Sequence, residues 1–205
     1  SDLKYSGHKD NDRDATKISC HKVKTAVIVK DIIPDEKIEI LRDNCNNLRD
    51  RAMIDFLLST GIRVGELVRL NIDDIDSSER ECVVYGKGDK ERKAYFDAKT
   101  KIHLLNYIES RTDNNIALFV SLNKPHSRLT ESGVELRLRE MGKKLGVEKV
   151  HPHKFRRTMA TRAIEKGMPI EQVQKILGHE QIDTTLRYAM VNQNNVKLSH
   201  RKYIS

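Results

Sequence analysis

Punctuation narrows the fold of this chain more than any other feature. Pro34 and Asp35 open one apolar-periodic run, Gly61 closes LRDRAMIDFLLST, Gly146 closes TESGVELRLREMGKKL, and Pro152 and Gly167 bracket PHKFRRTMATRAIEK. Proline suits a first helical turn because its missing N–H would have no intrahelical partner there. Glycine ends a helix because it enters the left-handed conformation without a Cβ clash. A chain marked this way is a set of short helices. The first carries Ile38 and Leu41 on its apolar side, the second covers 48–60, and IRVGELVRL starts a third. AKTKIHLLNYIESR is amphipathic, with Ile102, Leu105 and Ile108 along one side, and Val134, Leu138, Met141 and Leu145 recur at helical spacing further on. PIEQVQKIL and DTTLRYAMV follow as helices, the latter with Asp183 as N-cap.

Strand signals are few. ECVVY and RKAYF flank GKGDKE and predict a hairpin with a glycine-rich tip, ALFVS is a short extended run, and NIDDIDSSER reads as a loop. No internal repeat appears. The fold class expected is therefore α+β, mainly α, with a small antiparallel β-sheet. Residues 1–30 read as a linker or tail, since up to about residue 24 charges and small polar residues follow one another without apolar periodicity. The absence of a starting methionine suggests a piece of a longer protein.

Charge points toward a polyanionic partner. The net charge is +8, and residues 151–205 hold ten Lys/Arg against four Asp/Glu. Nucleic acid is the commonest partner for such a balance, although a solvated basic surface reads the same way. The three cysteines, Cys20, Cys45 and Cys82, form no CxxC pair and suggest neither a zinc knuckle nor a disulfide framework. No run is apolar enough to span a bilayer, so the expectation is a soluble protein of a reducing cytosol.

Several residues could carry chemistry. His153 and Arg156 in HPHKFRRT lie three apart and share a helix face. The planar guanidinium and tunable imidazole suit a phosphate, and the helix N-terminus favours an anion. A basic solvated face, with Lys154, Arg157 and Arg162 in the same segment, explains them equally well. Arg63 follows the Gly61 cap and could point into a cleft, or simply make a surface ion pair with Glu66. Lys87 sits at the hairpin tip, as a turn residue or as a mobile proton donor. His179 after Gly178 reads as a C-terminal cap for the helix dipole. Tyr188, with an ordinary pKa of about 10, becomes a nucleophile only among cations and beside a proton acceptor.

Taken in order, GIRVGEL, GKGDKER, HPHKFRRT and LGHEQIDTTLRY resemble the catalytic domain of the tyrosine recombinases, or phage-integrase family, over residues 31–190. The resemblance implies six catalytic positions: Arg63, Lys87, His153, Arg156, His179 and the nucleophile Tyr188. Arg157 stands where many relatives have a second histidine, and His151 is a loop residue outside the motif. The implied activity is site-specific cutting and rejoining of double-stranded DNA through a 3′-phosphotyrosine, without metal or other cofactor. It would serve integration or excision of a mobile element, or alternatively dimer resolution or inversion. The resemblance further implies a tetramer on synapsed sites, a monomer when free, accessory excision or DNA-bending proteins, and a bacterial nucleoid setting. The family's N-terminal core-binding domain has no counterpart here, and residues 191–205 are expected to form a tail that docks in trans. Three rival readings are a type IB topoisomerase-like enzyme, a catalytically silent DNA-binding regulator, and a zinc protein built on His151, His153, His179 and the cysteines. The last has ligand spacings that fit no common site.

Overall fold

The computed structural model describes residues 31–86, 91–179 and 201. The hairpin tip with Lys87, the helix expected over DTTLRYAMV with Asp183 and Tyr188, and the segments 1–30 and 191–205 (apart from position 201) lie outside them, as does Cys20.

Among the described residues the expected helices form where the punctuation puts them. Helix α1 (Asp35–Asp43) buries Ile38 and Leu41. Helix α2 (Leu48–Thr60) starts at Asn47, whose side chain accepts from the Asp50 N–H, and stops at Gly61 with φ 60°. Helix α3 (Val64–Arg69) follows directly. A short 3-10 turn (Ile72–Asp74) leads into strand β1 (Ile75–Asp76). Strands β2 (Glu81–Tyr85) and β3 (Glu91–Tyr95) are followed by helices α4 (Ala98–Glu109), α5 (Glu131–Lys144), α6 (Pro152–Glu165) and α7 (Ile170–Leu177).

Helix α2 is the axis of the core. Ala52, Met53, Ile54, Phe56 and Leu57 are all fully buried. Such a helix is wrapped on several sides, as residues apolar around most of its circumference require. Helices α4 and α6 pack on it, and Phe56 meets the rings of Phe96 and Phe119 with centroids 5.7 and 6.1 Å away. A smaller apolar cluster of Ala160, Val173 and Leu177 joins α6 to α7. That cluster sets the end of α7 close to the end of α2.

Three expectations need correction. The sheet has three antiparallel strands in the order β1-β2-β3, because Ile75 and Asp76, within the presumed loop, pair with Cys82 and Glu81. A two-residue strand is too short to show alternation. Strand β3 begins at Glu91, one residue earlier than expected, with Glu91 opposite Tyr85. Helix α4 buries Thr100, Leu104 and Tyr107, whereas Ile102 is 56% exposed. The polar residues go inside because their hydroxyls find partners: Thr100 donates to the Asp55 carbonyl at 3.3 Å, and the Tyr107 hydroxyl accepts from the Val120 N–H at 3.2 Å. The ALFVS run contributes only isolated bridges, Asn71 to Ala117 and Val120 to Arg128. Among the described residues no helix is long and apolar enough to cross a membrane.

Candidate active site

The site is assembled around the C-terminal end of α7. There Gly178 takes φ 62°, its N–H bonds to the Lys175 carbonyl at 3.1 Å, and the His179 N–H bonds back to Gln174 at 3.1 Å. This paired closure fixes the direction in which His179 leaves the helix. It still leaves carbonyls at the negative end of the helix dipole, where cations are favoured.

Three arginines from distant parts of the chain take three successive carbonyls of that end. Arg92 donates to Ile176 at 2.7 Å, Arg156 to Leu177 at 2.6 Å, and Arg63 to Gly178 at 3.3 Å. Arg156 also donates to the Gly61 carbonyl at 2.5 Å, so one buried guanidinium joins the ends of α2 and α7. Glycine is needed at position 61 for its positive φ, and a side chain there would also have to push aside the Met159 methyl of α6, 2.2 Å from the added Cβ.

Arg63 is seated by Glu66. The Glu66 carboxylate accepts from the Arg63 backbone N–H at 2.8 Å and from its guanidinium at 3.1 Å. This is the reach-back of a third-position glutamate at a helix N-terminus. The surface-pair reading of Arg63 is corrected by burial. The Glu66 side chain is 3% exposed and also binds Arg92 at 2.7 Å, while the Arg63 side chain is 44% exposed. Glu66 thus holds two guanidinium groups from beneath and leaves Arg63 open above.

His153 lies in the first turn of α6, directly after Pro152, with its ring parallel to that of His151 at 6.5 Å. His151 is the residue that enters the helix, with φ −152° and no side-chain capping bond. Arg63, His153 and Arg156 line one cleft, together with Ile62, His151 and Glu135. Burial lowers the His153 pKa, and Arg157, Arg156 and His151 lower it further. His179 is pushed down to about 4, first by burial and then by Arg156, Arg63, Arg92 and His153. Both imidazoles are therefore neutral near pH 7 and can each accept a proton.

Of the six residues singled out by sequence, Arg63, His153, Arg156 and His179 thus come together, and Lys87 and Tyr188 lie outside the described residues. Arg92 went unnoticed in the sequence, as one more charge in GKGDKER. Its signal is alternation: on β3 it shares the inward register with buried Ala94. The cluster can grip an oxyanion with planar guanidinium forks and has neutral imidazoles beside them for proton transfer.

A sequence model of the phage integrase family matches residues 32–195. The chain belongs to the phage integrase family. Within it, the chain is 38% identical over 196 residues to the tyrosine recombinase XerC of Leptospira interrogans, covering 92% of this chain and 63% of that protein. The crystal structure of XerA recombinase superposes with a TM-score of 0.72 at 32% identity, over 85% of this chain and 64% of that one. XerH site-specific recombinase, solved bound to its difH substrate, shares the fold with a TM-score of 0.68 at 23% identity, over 85% of this chain and 54% of that one. The chain thus spans just under two thirds of the relative's length, and the fold class of its described residues is that of these catalytic domains.

Proposed function

We propose that this chain is the catalytic part of a site-specific DNA recombinase that cuts and rejoins strands through a covalent 3′-phosphotyrosine. The observation that carries this reading is the convergence of Arg63, Arg156 and His179 at the end of α7, where Arg63 and Arg156 line one cleft with His153. The family membership supports it, as does the DNA complex of XerH.

In this mechanism the Tyr188 hydroxyl attacks a backbone phosphorus, forming an O–P bond as the bond to the 5′-oxygen breaks. His153, neutral and facing the cleft, takes the phenolic proton, and Lys87 gives a proton to the departing 5′-oxygen. Arg63 and Arg156 bind the non-bridging oxygens, where charge builds in the transition state. A neutral His179 adds one N–H donor without a further positive charge. Attack by a different 5′-hydroxyl reverses these steps and exchanges strands with no external energy source. Integration, excision, inversion and dimer resolution all use this one exchange.

The test is covalent capture on nicked duplexes drawn from a randomised pool. The wild-type chain should form a denaturant-resistant protein–DNA adduct, and Tyr188→Phe should form none. An adduct persisting in Tyr188→Phe would overturn the assignment of the nucleophile.

A further inference from the structure

We propose that Arg92 is a positioning residue for this reaction: it ties strand β3, Glu66 and the end of α7 into one unit, so that Arg63 and His179 address the same phosphate. The proposal rests on the site reading above. The Arg92 side chain leaves β3 opposite Val84 and is 13% exposed. One terminal nitrogen donates to the Ile176 carbonyl and the other to Glu66, both at 2.7 Å. Since Glu66 in turn holds Arg63, a continuous set of polar contacts runs from the sheet through Arg92 and Glu66 to Arg63 and back to Gly178. Arg63 and His179 sit at the two ends of that loop. The strand that supplies Arg92 begins just after GKGD, the segment bearing Lys87.

Two further observations describe how Arg92 is seated. The Arg92 Nε is buried without a hydrogen-bond partner among the described residues. Its fork is thus aligned on Ile176 and Glu66 through its two terminal nitrogens. The stem also runs over Gly178, where an added Cβ would lie 2.7 Å from both Cδ and Nε of Arg92. Gly178 is therefore required by its φ of 62° and by the path of Arg92 together. Placing this cation beside Arg63 is unfavourable, with burial and Arg63 both lowering its pKa and Glu66 opposing them. An anion in the cleft relieves that repulsion. Lysine cannot substitute, because one ammonium does not span two acceptors as a planar fork does.

Arg92→Lys in the full chain, which keeps the charge and loses the fork, tests this with two measurements. On nicked duplexes that the wild-type chain has itself captured, single-turnover adduct formation should slow ~100-fold while duplex affinity stays within about threefold, as for a reacting group displaced by roughly 1 Å. By NMR, the His179 ring, at about 4 in the wild type and facing Arg156, Arg63, Arg92 and His153, should titrate closer to 6.5, because a loosened α7 end is less buried. With charge conserved, that movement reports position. Arg92→Gln, which leaves the closure of α7 at Gly178 untouched, should slow adduct formation likewise with duplex affinity retained, and it serves if Arg92→Lys does not fold. Wild-type capture rate and an unchanged His179 titration in these variants would overturn the proposal. If even the wild-type chain captures no DNA, the functional reading fails, and the titration alone decides Arg92: movement supports the positioning role and no movement removes it.

Discussion

Two buried carboxylates in this molecule each hold two arginines, and they serve different ends. Asp50, at the start of α2, accepts from Arg49 at 2.6 and 3.0 Å, from Arg137 at 2.7 Å and from the Asn47 side chain at 2.8 Å. Burial acts to raise the Asp50 pKa, but Arg49, Asn47 and Arg137 outweigh it and hold the carboxyl below its usual value. Arg49 is spent on Asp50 and on the Val120 carbonyl, and Arg137, though 35% exposed, is not among the residues that line the cleft, so this cluster is a staple. Glu66 is equally buried, yet Arg63 above it keeps 44% of its side chain open to the cleft. What separates the two is where the partly open cation stands: Arg137 lies away from the cleft and serves stability, whereas Arg63 lines it and builds a site.

Substitutions can break this comparison. Arg63→Ala should lower adduct formation by about 100- to 1,000-fold, as loss of an oxyanion donor does, with little change in the denaturation midpoint. Asp50→Ala should do the reverse, destabilising the fold by about 3–5 kcal/mol by stranding Arg49, with the capture rate per folded molecule retained. If chemical denaturation showed equal losses for the two variants, the distinction between staple and site would collapse. Leu104→Ala on the buried face of α4 should destabilise by about 2–5 kcal/mol, while Ile102→Ala should fall within about 0.5 kcal/mol. Equal values would restore the face expected from sequence.

A smaller effect is expected from pH. His179 is depressed in the folded state, so between 6.5 and about 4 the unfolded chain binds more protons. Stability is then fully present above 6.5 and declines as pH falls through that window. His151 and His153 act in the same direction. His179→Gln should flatten the fall in denaturation midpoint between pH 7 and 5, and an unchanged slope would show that this imidazole is not the depressed group.

What was legible in the sequence was local. Pro152, Gly61, Gly146 and Gly178 mark helix ends because φ restrictions and orphan backbone groups act within a few residues. Helix α5 could be read from Val134, Leu138 and Met141 because all three bury apolar side chains at one period. Helix α4 misled for the converse reason. Periodicity counts Ile102 as core, and it cannot know that Thr100 and Tyr107 will find hydrogen-bond partners in other elements. Arg63, His153, Arg156 and His179 were found through an ordered set of motifs. Arg92 was not, because a cation in a charged strand carries no sign of its partner.

By itself, then, the sequence determined the order of helices, their caps and the residue types from which a phosphate site can be made. Only the tertiary structure decided that Arg63, Arg92 and Arg156 would each take one of three successive carbonyls at the end of α7. The reason is distance along the chain. Capping bonds close over three to five residues, whereas the Arg156, Arg92 and Arg63 bonds to the end of α7 close over 21, 84 and 115, and only the packed core around α2 brings such groups within hydrogen-bond reach.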